Sequence, residues 1–165
     1  MVTKKKISWL VGIAALSFGI AWALYFRERL PVLTPQIYSA AKSQWEARGP
    51  KDYELDVEVS GVQAGHYRIQ VKDRNVVQMK EDGIDVPERV WAYWSVDGMF
   101  RFLEEELASK KRPSAAYGVS DPDSVYLQAD FDEKLGYPKR FLRQVFGRKL
   151  TIEWRAQVLG GDKAN

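Results

Sequence analysis

Hydrophobic and polar positions follow three rhythms along this chain, and each predicts a different kind of element. From Ile7 to Phe26 no Asp, Glu, His, Lys or Arg interrupts the sequence. Between Thr34-Pro35 and Gly49-Pro50 the apolar residues Ile37, Ala41 and Trp45 recur every fourth position. That spacing predicts a helix with one buried stripe, capped by a hydroxyl, started by proline and stopped by Gly-Pro. From Asp52 the period falls to two. Tyr53, Leu55, Val57 and Val59 alternate with acids, and Tyr67, Ile69 and Val71 alternate with His66, Arg68, Gln70 and Lys72. Both segments read as strands with one buried face. A five-residue loop from Gly61 to Gly65 would set Glu58 opposite Arg68, Glu54 opposite Lys72 and Val57 opposite Ile69.

A turn at Asp73-Arg74-Asn75 leads to a third strand, Val76 to Lys80, and Glu81 to Pro87 reads as a polar loop. Ser95 is placed to cap a second helix, with Asp97 at its positive end. Val96, Met99, Phe100, Leu103 and Leu107 fall on its buried side, with Arg101, Glu104 and Glu105 on its wet side. Lys110-Lys111-Arg112-Pro113 ends this helix, and a loop follows to about Asp123. Alternation then returns in Val125 to Asp132 and in Lys149 to Val158. Pro138 to Phe146 lies between them as a strand of poor alternation, as a bulge would produce. The order of helix, three strands, helix, three strands predicts an α+β domain: an antiparallel sheet of about six strands with two helices on one face. No internal sequence repeat accompanies the repeated order.

The uncharged run changes the picture of where this domain works. Twenty helical residues rise about 30 Å, enough to cross the hydrocarbon core of a bilayer. Trp9 lies near one end, and Trp22, Tyr25 and Phe26 near the other, as in interfacial aromatic belts. A cleaved signal peptide, leaving a secreted protein, is the competing reading: Lys4 to Lys6 form a basic start and Ala21-Trp22-Ala23 a small-x-small site. Apolarity continues past that site through Leu24-Tyr25-Phe26, which favours an uncleaved anchor. The lysines before the run place the N-terminus in the cytoplasm and the following domain outside it. Residues 1–26 are then the cytoplasmic start and transmembrane anchor, 27–33 a short linker, 34–159 a single domain and 160–165 a disordered tail. Ala15, Gly19 and Ala23 repeat along one flank of the anchor, a spacing that permits homodimerisation through the membrane helix.

Charge belongs mostly to the tether. Setting aside Lys4, Lys5 and Lys6 leaves 22 basic and 22 acidic side chains after residue 26, so the domain carries no formal net charge. A dedicated nucleic-acid binder needs an excess of positive charge, so no nucleic-acid partner is expected. The chain has no cysteine, which removes disulfides, thiolate metal sites and cysteine catalysis.

Few residues qualify as candidate chemistry. His66 is the single histidine and falls on a predicted wet face; Ser95 is accounted for as a cap without a Gly-x-Ser-x-Gly context. No phosphate-binding or dinucleotide fingerprint occurs, so no catalytic residue and no cofactor are assigned. Asp130, Asp132 and Glu133 could gather a hard cation, but the turn chemistry of Asp132 to Pro138 explains them without one, and no metal is assigned. Glu104-Glu105-Glu106 reads as a solvated helix face. Trp91, Tyr93 and Trp94 fit either core packing or a ligand platform. Lys139, Arg140, Arg143, Arg148 and Lys149 place five basic residues in eleven positions. Edge protection explains them; contact with anionic lipid or an acidic envelope polymer is the functional alternative.

Trp45 ahead of Gly49 and Tyr53, the Tyr67-x-x-x-Val71 strand, the helix bearing Phe100, and above all Phe131-Asp132-x-x-x-Gly136-Tyr137-Pro138 resemble a family of small bacterial secreted or lipid-anchored proteins of unknown function. Phe131 stands where that family commonly has tyrosine. The resemblance implies an extracytoplasmic location and no catalytic role. The expected function is therefore a membrane-anchored extracytoplasmic binding or interaction module, with a protein or an anionic envelope polymer as partner. An enzyme with a carboxylate-based site is the alternative.

Overall fold

The computed structural model describes residues 30–61, 64–148 and 150–160. The chain falls into two units, Met1–Leu30 and Pro31–Asn165, and the description concerns the second. Among the described residues no helix is long and apolar enough to cross a membrane. The run Ile7 to Phe26, with Ala15, Gly19 and Ala23, lies outside them.

Helix α1 spans Pro35–Arg48, and Thr34 caps it by accepting a hydrogen bond from the Ile37 amide at 3.3 Å. Helix α2 spans Val96–Lys110; Ser95 Oγ accepts from the Gly98 amide at 3.1 Å, with Asp97 in the first turn and Lys110 in the last. The short helix α3, Pro113–Tyr117, ends at Gly118 in the left-handed region, within the stretch expected to be loop. Seven strands form one antiparallel sheet: β1 Tyr53–Gly61, β2 Gly65–Lys72, β3 Asn75–Glu81, β4 Ile84–Asp85, β5 Val125–Phe131, β6 Pro138–Val145 and β7 Ile152–Leu159. Their spatial order is β4-β3-β2-β1-β7-β6-β5. The α+β class holds, with one strand more than the expected six. The additional strand is the two-residue β4, joined to β3 through Asp82-Gly83, both at positive φ. An Asp-Gly pair of that conformation is a tight hairpin turn, which is why the polar Glu81–Pro87 stretch is not simply loop.

The pairing of β1 with β2 corrects the expected register. Glu58 faces His66, Asp56 faces Arg68, Leu55 faces Ile69 and Val57 faces Tyr67. Extending β1 to Gly61 leaves only residues 62–64 between the strands, two fewer than assumed, and shifts the pairing by two. A shift of two keeps every side chain on its face. Charge complementarity survives with new partners: Asp56 receives His66 at 2.8 Å and Arg68 at 3.5 Å.

The domain also begins earlier than the expected linker allows. The Leu33 amide donates to Leu127 O at 2.9 Å and the Ala129 amide to Pro31 O at 3.0 Å, so residues 31–33 lie along β5 and cover part of its edge. The repeated element order is not a duplicated fold, because β1 pairs with β7 rather than with β5.

One core lies between the inward side chains of the sheet and the two long helices. Leu55, Val57, Ile69, Leu127 and Phe141 meet Trp45, Phe100 and Leu103 there. The other sheet face carries paired polar rows, such as Asp130–Arg140–Arg155–Glu58–His66 across five strands. Antiparallel sheets tolerate one wet face in this way.

Candidate functional site: an aromatic-lined pocket

Helix-covered and open faces differ in what they offer a ligand. On the covered side, where the turn Glu88–Tyr93 and the start of α2 approach β1, β2 and β7, a pocket of about 160 Å³ opens. Tyr67, Tyr93, Trp94, Phe102 and Trp154 form its aromatic walls; Val57, Val59, Met99 and Ile152 supply the rest. A void of about 150 Å³ suffices for a benzene-sized guest.

Alternation delivers this lining. Val57, Val59, Tyr67 and Trp154 are inward positions of their strands, and Met99 and Phe102 lie one turn apart on α2. Trp94 packs against Tyr67 with ring centroids 4.1 Å apart, and Tyr93 meets the edge of Phe102 at 6.2 Å. Both tyrosine hydroxyls are engaged by acids. Tyr67 donates to Glu81 Oε1 at 2.9 Å, and Tyr93 donates to both oxygens of Glu105 at 3.0 Å. Burial, reinforced by the Glu81 bond, raises the Tyr67 hydroxyl to about 12, and the Glu105 bond raises that of Tyr93, so both remain protonated donors. Gly65 makes room for the first pair: a Cβ there would stand 2.8 Å from Glu81 Oε1 and 3.0 Å from the Tyr67 hydroxyl.

Trp91, grouped with Tyr93 and Trp94 by sequence, separates from them. Its indole donates to Val86 O at 2.9 Å, and it lines a different, polar depression with Arg74, Asp97 and Arg101. The three aromatics thus divide between both readings, with Trp91 tied to the backbone and Tyr93 and Trp94 at the pocket.

The five basic candidates do not converge. Arg140 stands opposite Asp130 on the open face and binds Glu153 at 2.8 Å. Arg143 stands opposite Leu127 on the core side and binds Glu106 at 2.5 Å. Lys139 pairs with Asp130 at 3.2 Å, Arg148 donates to Gly118 O at 2.8 Å, and Lys149 lies outside the described residues. The inward Arg143 is also why β6 alternates poorly.

Glu106 was expected on a solvated helix face and is instead 6 % exposed. It accepts from Arg143 and, at 2.8 Å, from the Tyr117 hydroxyl, whose pKa rises through burial and that bond. Arg143 in turn stacks over the Tyr117 ring at 5.4 Å. A carboxylate so committed fixes α2 to α3 and β6; it does not line the pocket. Spacing alone puts Glu106 on the inward side, three residues after Leu103 and seven after Met99, but its acidic side chain reads as a solvated position.

The remaining sequence candidates have structural roles. Asp132 Oδ1 accepts from the amides of Lys134 and Leu135, and Gly136 takes a φ of 82°, so the Asp132–Pro138 segment is a capped turn. A Cβ on Gly136 would stand 2.5 Å from Ala41 O, which shows how closely this turn docks on α1. Among the described residues no three acid or histidine side chains converge as metal ligands.

The fold and site define a small α+β domain with an apolar, aromatic-lined pocket. Residues 38–142 match the model of a family of unknown function (DUF6174), and the chain belongs to that family. No curated protein and no solved structure matches it.

Proposed function

We propose that this protein is a membrane-anchored binding module of the bacterial envelope, with its domain outside the cytoplasm and the aromatic-lined pocket as its ligand site. The observation that carries the reading is the pocket's lining. Among the described residues, the nine that line it are aromatic, aliphatic or thioether, and the two hydroxyls among them already donate to carboxylates. Such walls can bury and orient a ligand, which is what binding requires; acid, base or nucleophilic chemistry needs groups of another kind. The charge-free run Ile7 to Phe26 and its aromatic flanks support the anchor, and the preceding lysines support the orientation. A tether would hold the paired charges of the open sheet face beside envelope proteins or anionic polymers.

Binding is tested with the full-length chain in maltoside micelles, against a panel of single-ring and branched-alkyl fragments followed by saturation-transfer NMR. Fragments that receive magnetisation from the parent should lose it in Val59→Phe, which fills the pocket. An unchanged set of hits in that variant would refute the pocket as the site. Location is tested by fractionation and external protease. The protein should pellet with membranes and be cut after Arg27, whereas a soluble species beginning near Leu24 would show a cleaved signal.

A further inference from the structure

We propose that the ligand of this pocket is a small organic cation, a tertiary or quaternary alkylammonium group, held by the aromatic walls and by the carboxylates behind them. The inference rests on the pocket being a binding site and adds the charge of what enters it.

Two observations carry it. First, five of the residues that line the pocket are aromatic, Tyr67, Tyr93, Trp94, Phe102 and Trp154, and among the described residues no basic side chain is in the lining. The ring quadrupole attracts a cation over its face, most strongly for tryptophan and tyrosine. The protein's own cations take up this interaction elsewhere: Lys42 lies over Tyr38, Arg74 over Trp45 and Arg143 over Tyr117. Arg101, beside Tyr93, donates to Ala92 O and lines the neighbouring polar depression instead.

Second, the two tyrosines of the wall donate to Glu81 and Glu105. A phenol that donates to a carboxylate has an electron-richer ring, and each carboxylate adds negative potential behind it. An anionic ligand would meet repulsion from two acids, and a neutral one would gain only apolar contact. An alkylammonium is apolar on its surface and positive throughout, so it gains from both the walls and the acids. The volume of about 160 Å³ suits a trimethylammonium-sized head rather than a long chain.

The experiment titrates the full-length chain, in maltoside micelles that carry no ammonium group, with choline and with its neutral isostere 3,3-dimethyl-1-butanol, read by tryptophan fluorescence and calorimetry. Choline should bind at least about fivefold tighter than the isostere, the scale of a partly desolvated cation–π contact. Glu81→Gln with Glu105→Gln should remove most of that preference while the melting temperature stays near the parent's. Glycerophosphocholine separates the sources of the group: binding comparable to choline indicates a lipid headgroup, and rejection indicates a free alkylammonium compound. Tighter or equal binding of the isostere would overturn the cation while leaving the pocket as a binding site. Absence of binding by either compound would overturn both.

Discussion

Two ends of the same core use the same kinds of side chain to opposite effect. At one end Trp45 is fully buried, with Tyr53 edge-on at 5.5 Å, Tyr137 at 6.4 Å and Arg74 over its ring at 5.7 Å. Its indole donates to Asp97 at 3.2 Å, and Arg74 joins the same carboxylate oxygen at 3.2 Å. At the other end Trp94, Trp154, Tyr67, Tyr93 and Phe102 surround a space. Aromatic content alone therefore says nothing of function. What separates a packed tryptophan from a ligand wall is whether open space remains beside the ring and whether the chain already lays a cation over it, as Arg74 does over Trp45.

Truncation should break this comparison most sharply. Trp45→Ala removes a fully buried ring and an indole bond, and should cost about 3–5 kcal/mol in denaturant unfolding. Trp94→Ala, at the partly exposed pocket wall, should cost about 1 kcal/mol, the ordinary scale of a single substitution. Equal losses would show both ends to be packed alike.

Backbone changes come next. Gly136→Ala forces a side chain into a φ of 82° and against Ala41 O, Gln44 and Trp45, so about 2–3 kcal/mol should be lost. Gly83→Ala meets the same backbone strain in open space, so its loss should stay near 1 kcal/mol. A Gly136 variant as stable as the Gly83 variant would mean that the turn does not dock tightly beside Trp45.

Enlargement gives a smaller contrast. Ala41→Leu crowds the filled end and should destabilise by about 1–3 kcal/mol. Val59→Ile extends into the pocket and should leave stability within about 0.5 kcal/mol.

Alkaline pH sharpens the picture least. Tyr53 and Tyr67 are both raised from 10.0, chiefly by burial, Tyr67 to about 12 and Tyr53 further. With folded values above unfolded ones, both contribute stability that is complete below pH 10 and declines as pH rises beyond it. Tyr67→Phe should lessen the decline between pH 10 and 12, and Tyr53→Phe should lessen it also at higher pH. A melting temperature that is flat from pH 9 to 12 would contradict both assignments.

Much of the fold was legible because it is written in period and punctuation. Thr34-Pro35, Ser95 and the two-residue alternation of β1, β2 and β5 sit where the sequence sets them. The β1–β2 register was less so, because any shift by an even number satisfies the same pattern and only the loop decides. β4 was signalled by Asp82-Gly83, a hairpin pair, and hidden by its brevity.

The site was legible only in fragments. Tyr93 and Trp94 marked it, but Val59, Met99 and Trp154 come from distant positions brought together by β1 pairing with β7 and by α2 crossing above. The basic run from Lys139 shows the converse, residues close in sequence that the fold separates. Neighbours along a strand point to opposite faces, so Arg140 and Arg143 part company once β6 is paired.

The difference between the two ends can be measured directly through the indole N–H resonances of the full-length chain during a choline titration. Trp94 and Trp154, whose rings line the pocket, should shift saturably, and Trp45, closed in by Tyr53, Tyr137 and Arg74, should not move. Shifts at Trp45 as large as those at Trp94, or no shift at Trp94 and Trp154 at any concentration, would contradict the account.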